Sequence, residues 1–147
     1  MKHFLAYVVE SIKANWNRPA LSNYGANTFT FGDVALEIEK MHILFEKCGI
    51  EKGEKIALCS KNCAEWCIAY FAIVSYDAVC VPLLPDFLPQ NVADLTRLSD
   101  SRLLMVDKNI FSSLQRDNIV SQFSGFAGFL GLVDVVGLEV RESCNNA

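Results

Sequence analysis

The sequence predicts an α/β fold: a mostly parallel sheet flanked by helices, with a small N-terminal β-hairpin. Residues 49–84 read as strand, helix, strand, with apolar 56–59, an asparagine-bearing turn at 60–62, a helix holding Glu65 and Trp66 in its first turns, and apolar 79–83. Two buried strands joined by a helix of that length form a right-handed βαβ unit. The alternation continues beyond it, which is the pattern of a parallel sheet covered by helices. Hydrophobic residues make up 52% of the chain and charged ones 20%. That balance excludes disorder and suits a sheet buried on both faces.

In chain order, Phe4, Leu5, Val8 and Ile12 fall at helical spacing and predict an amphipathic helix over 3–14, stopped by Asn17-Arg18-Pro19 and packed on its own sheet. Segments 20–22 and 28–30 flank a glycine-containing loop and read as the hairpin. Thr30 is placed to cap the amide of Asp33, whose charge favours a helix start. The next helix carries Val34, Ile38, Met41, Phe45 and Cys48 as one apolar stripe, and Gly49 ends it. After the βαβ unit, a loop over 85–89 leads into a helix from about Pro89 through Leu98. Strand 102–106 ends at Asp107, and a helix over 109–122 turns Ile110, Leu114 and Ile119 inward. Residues 129–136 are a fourth strand of the layer, weakened by Gly128 and Gly131. A single subdomain over 1–147 is expected, divided into helix and hairpin (1–32), parallel layer (33–137) and polar tail (138–147).

Composition narrows the function classes. The net charge is −4 and no basic cluster exists, so nucleic acid is a poor partner. The longest apolar run covers residues 66–74, well short of the about 20 residues that span a bilayer. The first fifteen residues lack the plan of a signal peptide, and the chain reads as cytoplasmic. Six cysteines (Cys48, Cys59, Cys63, Cys67, Cys80, Cys144) lack zinc-site spacing and read as reduced packing residues. Cys63 and Cys67 are expected on one helix face.

Several segments resemble, in order, the N-terminal region of the acyl-adenylate-forming superfamily, which includes the AMP-forming acyl-CoA ligases. Thr28-Phe29-Thr30-Phe31-Gly32-Asp33 resembles the family's "TYTYxEL" helix entry, and the stretch from Gly49 to Leu58 resembles "GVxxGDRVAI". Asn62-Cys63-Ala64-Glu65-Trp66 resembles "NxxEW", and Ala78-Val79-Cys80-Val81-Pro82-Leu83 resembles "GAVxVPL". Leu98-Ser99-Asp100-Ser101-Arg102-Leu103-Leu104 resembles a later helix-to-strand passage. The similarity runs from about Ala20 to Asp107. Asp77 stands where the pattern has glycine, which predicts a different backbone conformation at that turn.

The resemblance implies the first sheet layer of the large N-terminal domain of such a ligase, of the long-chain fatty-acid type. The intact enzyme would convert fatty acid, ATP and CoA to acyl-CoA, AMP and pyrophosphate, with Mg²⁺. That chemistry brings two anions together and needs preorganised donors and positive charge. The family supplies them from a Ser/Thr/Gly-rich loop with lysine and from later segments that have no counterpart here. The nearest approach, Ser124-Gly125-Phe126-Ala127-Gly128, has no following lysine and reads as a loop before a strand. This piece is therefore expected to supply no catalytic, cofactor-binding or metal residue. Its partners would be the remainder of its own polypeptide and, as a further association, a second copy. A non-catalytic binding or dimerisation module with the same fold is the alternative.

Individual residues have plainer readings than catalysis. Glu65 and Trp66 read as packing, Asp86 as a solvated loop residue rather than one near a thiol entrance, and Lys108 as a surface lysine rather than a CoA-phosphate contact. His3 and His42 stand isolated, with no Ser, Cys or Asp at a spacing that suggests a triad.

Overall fold

A computed structural model describes residues 1–123 and, as backbone, the strand segments 127–130 and 133–137. The elements are α1 (Phe4–Ala14), β1 (Pro19–Ser22), β2 (Thr28–Thr30), α2 (Phe31–Lys47), β3 (Lys55–Cys59), α3 (Ala64–Ser75), β4 (Val79–Leu83), α4 (Pro89–Leu98), β5 (Ser101–Val106), α5 (Lys108–Arg116), β6 (Ala127–Leu130) and β7 (Val133–Gly137). β1 and β2 form the antiparallel hairpin. The main sheet has the order β4-β3-β5-β7-β6, with β4, β3 and β5 parallel.

Period-two alternation along β3 and β5 sends successive side chains to opposite faces. Ile56, Leu58, Leu103 and Met105 meet Met41, Leu44 and Phe45 of α2 and Ile68, Ala72 and Ile73 of α3. Ala57, Cys59, Leu104 and Val106 meet Val92 and Ala93 of α4, Leu114 of α5 and Phe123. Both faces are thereby dry, as parallel strands require.

Helix starts follow local chemistry. Thr30 Oγ1 accepts from the Asp33 amide at 3.0 Å while Asp33 Oδ2 accepts from the Thr30 amide at 2.9 Å, a reciprocal capping box. Pro89 occupies the first position of α4, where its missing N–H is harmless.

Helix ends are less legible. Gly49 stops α2 in the left-handed region, φ 68°, with the Ile50 amide donating to Phe45 O at 2.9 Å. The same closure ends α3 at Asp77 (φ 63°) and α5 at Asn118 (φ 59°), with Ala78 N donating to Ile73 O and Ile119 N to Leu114 O. Asp77 thus takes, without being glycine, the left-handed backbone conformation that suits glycine. Asp and Asn tolerate that region better than other side chains.

Four expectations need correction. The helix over 109–122 stops at Arg116, because Asn118 closes it, and buried Ile119 enters the core from beyond its end. The single strand over 129–136 is two strands: β7 runs antiparallel to β5 and β6 antiparallel to β7. A connection of two residues is too short for a parallel crossover. β4 is an edge strand among the described residues, with Val79 45% exposed, rather than a buried one. Val79 N donates to Glu54 O at 2.8 Å, so by alternation Pro82 turns its backbone to the free edge. There its lack of an N–H breaks no ladder bond. Finally, α1 buries no residue fully; it shares a groove of about 290 Å³ with Leu21 of β1, Val34 of α2 and Phe71 of α3 rather than lying on the sheet.

Candidate functional site

Chain order places a topological switch between β3 and β5: α3 leads outward to β4 on one side, and α4 carries the chain back to β5 on the other. Open α/β sheets bind ligands in the crevice outside the carboxyl ends of such strands. Here that crevice is bordered by Ser60, Lys61, Asn62 and Cys63 after β3 and by Asp107 and Lys108 after β5.

Asp107 spans it. Oδ1 accepts from the Ile110 amide at 2.8 Å, capping α5, and Oδ2 accepts from the Lys61 amide at 3.1 Å. The start of α3 is filled too, from a distant element. Asn23 of the hairpin accepts from the Ala64 amide through Oδ1 at 2.8 Å, and its Nδ2 donates to both carboxylate oxygens of Glu65 at 2.8 Å. Helix N-termini attract anions through their free amides. At α3 and α5 the chain's own side chains take that role, and the one at α5 is itself negative. The Asp107 and Glu65 carboxylates are committed to N–H donors, which does not fit them to hold Mg²⁺. No three His, Cys, Asp or Glu side chains converge on a metal position among the described residues.

The residues singled out from sequence are dispersed. Glu65 is buried at this edge, and Trp66 stacks on Tyr70 with ring centroids 5.5 Å apart and planes at 4°. Asp86 is exposed in the turn after β4, and Lys108 is exposed at the first position of α5. His3 caps α1, its Nδ1 accepting from the Leu5 amide at 3.3 Å. His42 is not isolated: its Nε2 lies 2.9 Å from both Ser75 Oγ and Ala72 O. The Ser75 hydroxyl donates to Phe71 O, so Nε2 is the donor and the serine is not activated. The pair ties α2 to the end of α3. Residues 124–126 of the Gly/Ser stretch and the 138–147 tail lie outside the described residues.

None of the five described cysteines forms a disulfide, and Cys144 lies outside the described residues. Cys63 precedes α3 as its cap residue, so the expected shared helix face with Cys67 does not form. Burial, with a smaller contribution from Asp107, pushes the Cys59 thiol up to about 12, and burial pushes Cys80 up to about 11. Burial also raises Cys63, with the Glu65 carboxylate adding to it. An ordinary thiol in the unfolded chain ionises near 9.0, so there the folded state holds protons that the unfolded state releases. Stability from these thiols is complete below that value and declines as pH rises toward the folded values. Urea midpoints measured from pH 8 to 10.5 are expected to fall, and to fall less steeply in a Cys59→Ala, Cys80→Ala double variant. Equal slopes would overturn this assignment.

No helix among the described residues is long and apolar enough to cross a membrane. Comparison with known proteins is consistent across its forms. Residues 8–128 match the family profile described as AMP-binding enzyme. The long-chain-fatty-acid–CoA ligase heimdall of Drosophila melanogaster is 26% identical over 92 residues, 63% of this chain and 14% of that protein. A crotonobetaine/carnitine–CoA ligase of Escherichia fergusonii is 29% identical over 90 residues, 61% of this chain and 17% of that protein. Coronafacic acid ligase from Pectobacterium brasiliense superposes with a TM-score of 0.72 at 21% identity, over 82% of this chain and 24% of that one. The chain thus spans less than a quarter of the length of each of these relatives.

Proposed function

The chain belongs to the AMP-binding enzyme family, and from that premise we propose that it is the N-terminal scaffold piece of an ATP-dependent, AMP-forming acyl-CoA ligase, inactive by itself. The observation that carries this reading is the closed carboxyl edge. Asp107 and Asn23 occupy helix amides at this edge that could otherwise attract an anion. In the intact enzyme the remaining polypeptide supplies the groups that bind ATP, Mg²⁺ and CoA, and this layer holds them in register. The similarity to a long-chain-fatty-acid–CoA ligase supports a fatty acid as the carboxylate. The cytoplasm is the proposed compartment.

Pyrophosphate exchange into ATP, with fatty acids of several chain lengths and Mg²⁺, tests this directly. The 147-residue chain is expected to give no exchange above a buffer control. Turnover that follows protein concentration and survives repurification would overturn the scaffold reading.

A further inference from the structure

The carboxyl edge carries a continuous polar chain linking elements far apart in sequence. It begins at Asn23, whose own backbone closes the hairpin turn by donating to Asn27 O at 2.9 Å. The Asn23 carboxamide holds the Glu65 carboxylate, which is only 8% exposed. The Cys63 thiol faces that carboxylate and lies 3.7 Å from Ser60 Oγ. Ser60, 2% exposed, donates to Lys61 O at 3.1 Å, and Lys61 N donates to Asp107. The hairpin, the loop after β3 and the start of α5 are therefore joined through one set of polar groups, buried at Ser60 and Glu65 and exposed at Lys61.

Asn23 is chemically suited to its place. Its cap acceptor and its NH₂ donors act at once, whereas aspartate offers no donor and serine only one. Cys63 makes no side-chain cap hydrogen bond of its own, so α3 obtains its cap from a residue 41 positions away. Removing the amide strips a buried carboxylate of its principal donor, and a buried charge left that way is costly. Polar networks of this kind lose their members together rather than singly.

We propose that Asn23 is a positioning residue that couples the N-terminal hairpin to the loop at the carboxyl end of β3, so that the two open and close as one unit. The coupling concerns this chain alone and does not depend on which substrate the intact protein takes.

Hydrogen exchange followed by mass spectrometry on the full 147-residue chain tests it. Asn23→Ala is expected to speed exchange by about tenfold or more in both 19–30 and 60–67, the scale of losing a charge-assisted bond at a local opening. Tyr24→Ala, at a fully exposed neighbour, is expected to leave 60–67 unchanged. Asn23→Asp sets a second carboxylate against Glu65 and is expected to act like Asn23→Ala. Combining Asn23→Asp with Glu65→Gln reverses donor and acceptor: the new carboxylate at position 23 accepts from the Ala64 amide and from the carboxamide at position 65. Protection in both segments is expected to recover to at least about threefold better than in Asn23→Asp, since two of the three hydrogen bonds re-form while the carboxamide oxygen at position 65 is left facing a carboxylate oxygen. Acceleration confined to the hairpin in Asn23→Ala, or a double variant no better protected than Asn23→Asp, overturns the proposal. Should Asn23→Ala unfold outright, the double variant decides: recovery supports the coupling and continued unfolding overturns it.

Discussion

Replacing Phe45 with alanine is expected to destabilise the protein by about 3–5 kcal/mol, the range for removing a buried aromatic ring. Phe45 has no exposed surface, and its ring meets Tyr76 edge-on with centroids 5.5 Å apart at 70°. It sits where α2, α3 and the sheet share one cluster, so a cavity there opens between three elements rather than at a margin. The loss is a large fraction of the about 5–15 kcal/mol by which domains are stable. Urea denaturation followed by far-ultraviolet circular dichroism measures it, with Phe45→Leu as the companion that retains most of the volume and loses much less. An alanine variant within about 1 kcal/mol of the parent, well below that range, would show that α2 does not dock on the sheet as described.

Asp107→Ala comes next, expected to cost about 2–3 kcal/mol from two losses of about 1 kcal/mol or slightly more each. One is the cap of α5 at the Ile110 amide, and the other is the bond to the Lys61 amide across the switch crevice. Asp107→Asn separates them. Asparagine caps a helix nearly as well as aspartate, but its NH₂ in the second position faces the Lys61 N–H donor to donor. The expected order of denaturation midpoints is Asp, then Asn, then Ala. An asparagine variant equal to the parent would mean that the Lys61 contact contributes nothing.

Much of the fold was legible because its signals act over a few residues. The Thr30–Asp33 capping box spans three positions, the α2 stripe repeats every turn, and the βαβ unit is written in adjacent apolar runs. The helix ends show where local reading falters. Glycine announces the stop of α2, but Asp77 and Asn118 perform the same closure without announcing it. Their polar side chains read equally well as ordinary surface residues. The weak strand signal over 129–136 failed for a related reason: two short strands and one longer strand have the same apolar content, and only pairing tells them apart.

The candidate site was hardly legible at all. Asn23 and Glu65 lie 42 residues apart, Lys61 and Asp107 lie 46 apart, and His42 and Ser75 lie 33 apart. Each is an ordinary loop or helix residue until folding brings its partner alongside, and only the Asn23–Glu65 pair is also withdrawn from water. In water such groups gain little by meeting; where a partner is withdrawn from water, as Glu65 is, leaving it unmet is expensive.

By itself, then, the amino-acid order determined which segments become helices and strands, the α/β class, and a resemblance that the family match bears out. Those follow from hydrophobic period and from side chains acting on their own backbone. Tertiary structure alone decided that β4 lies at an edge, that β7 inserts beside β5, and that Asp107 and Asn23 close the carboxyl edge. These depend on which surfaces exclude water together, and that is a property of neighbours in space rather than along the chain.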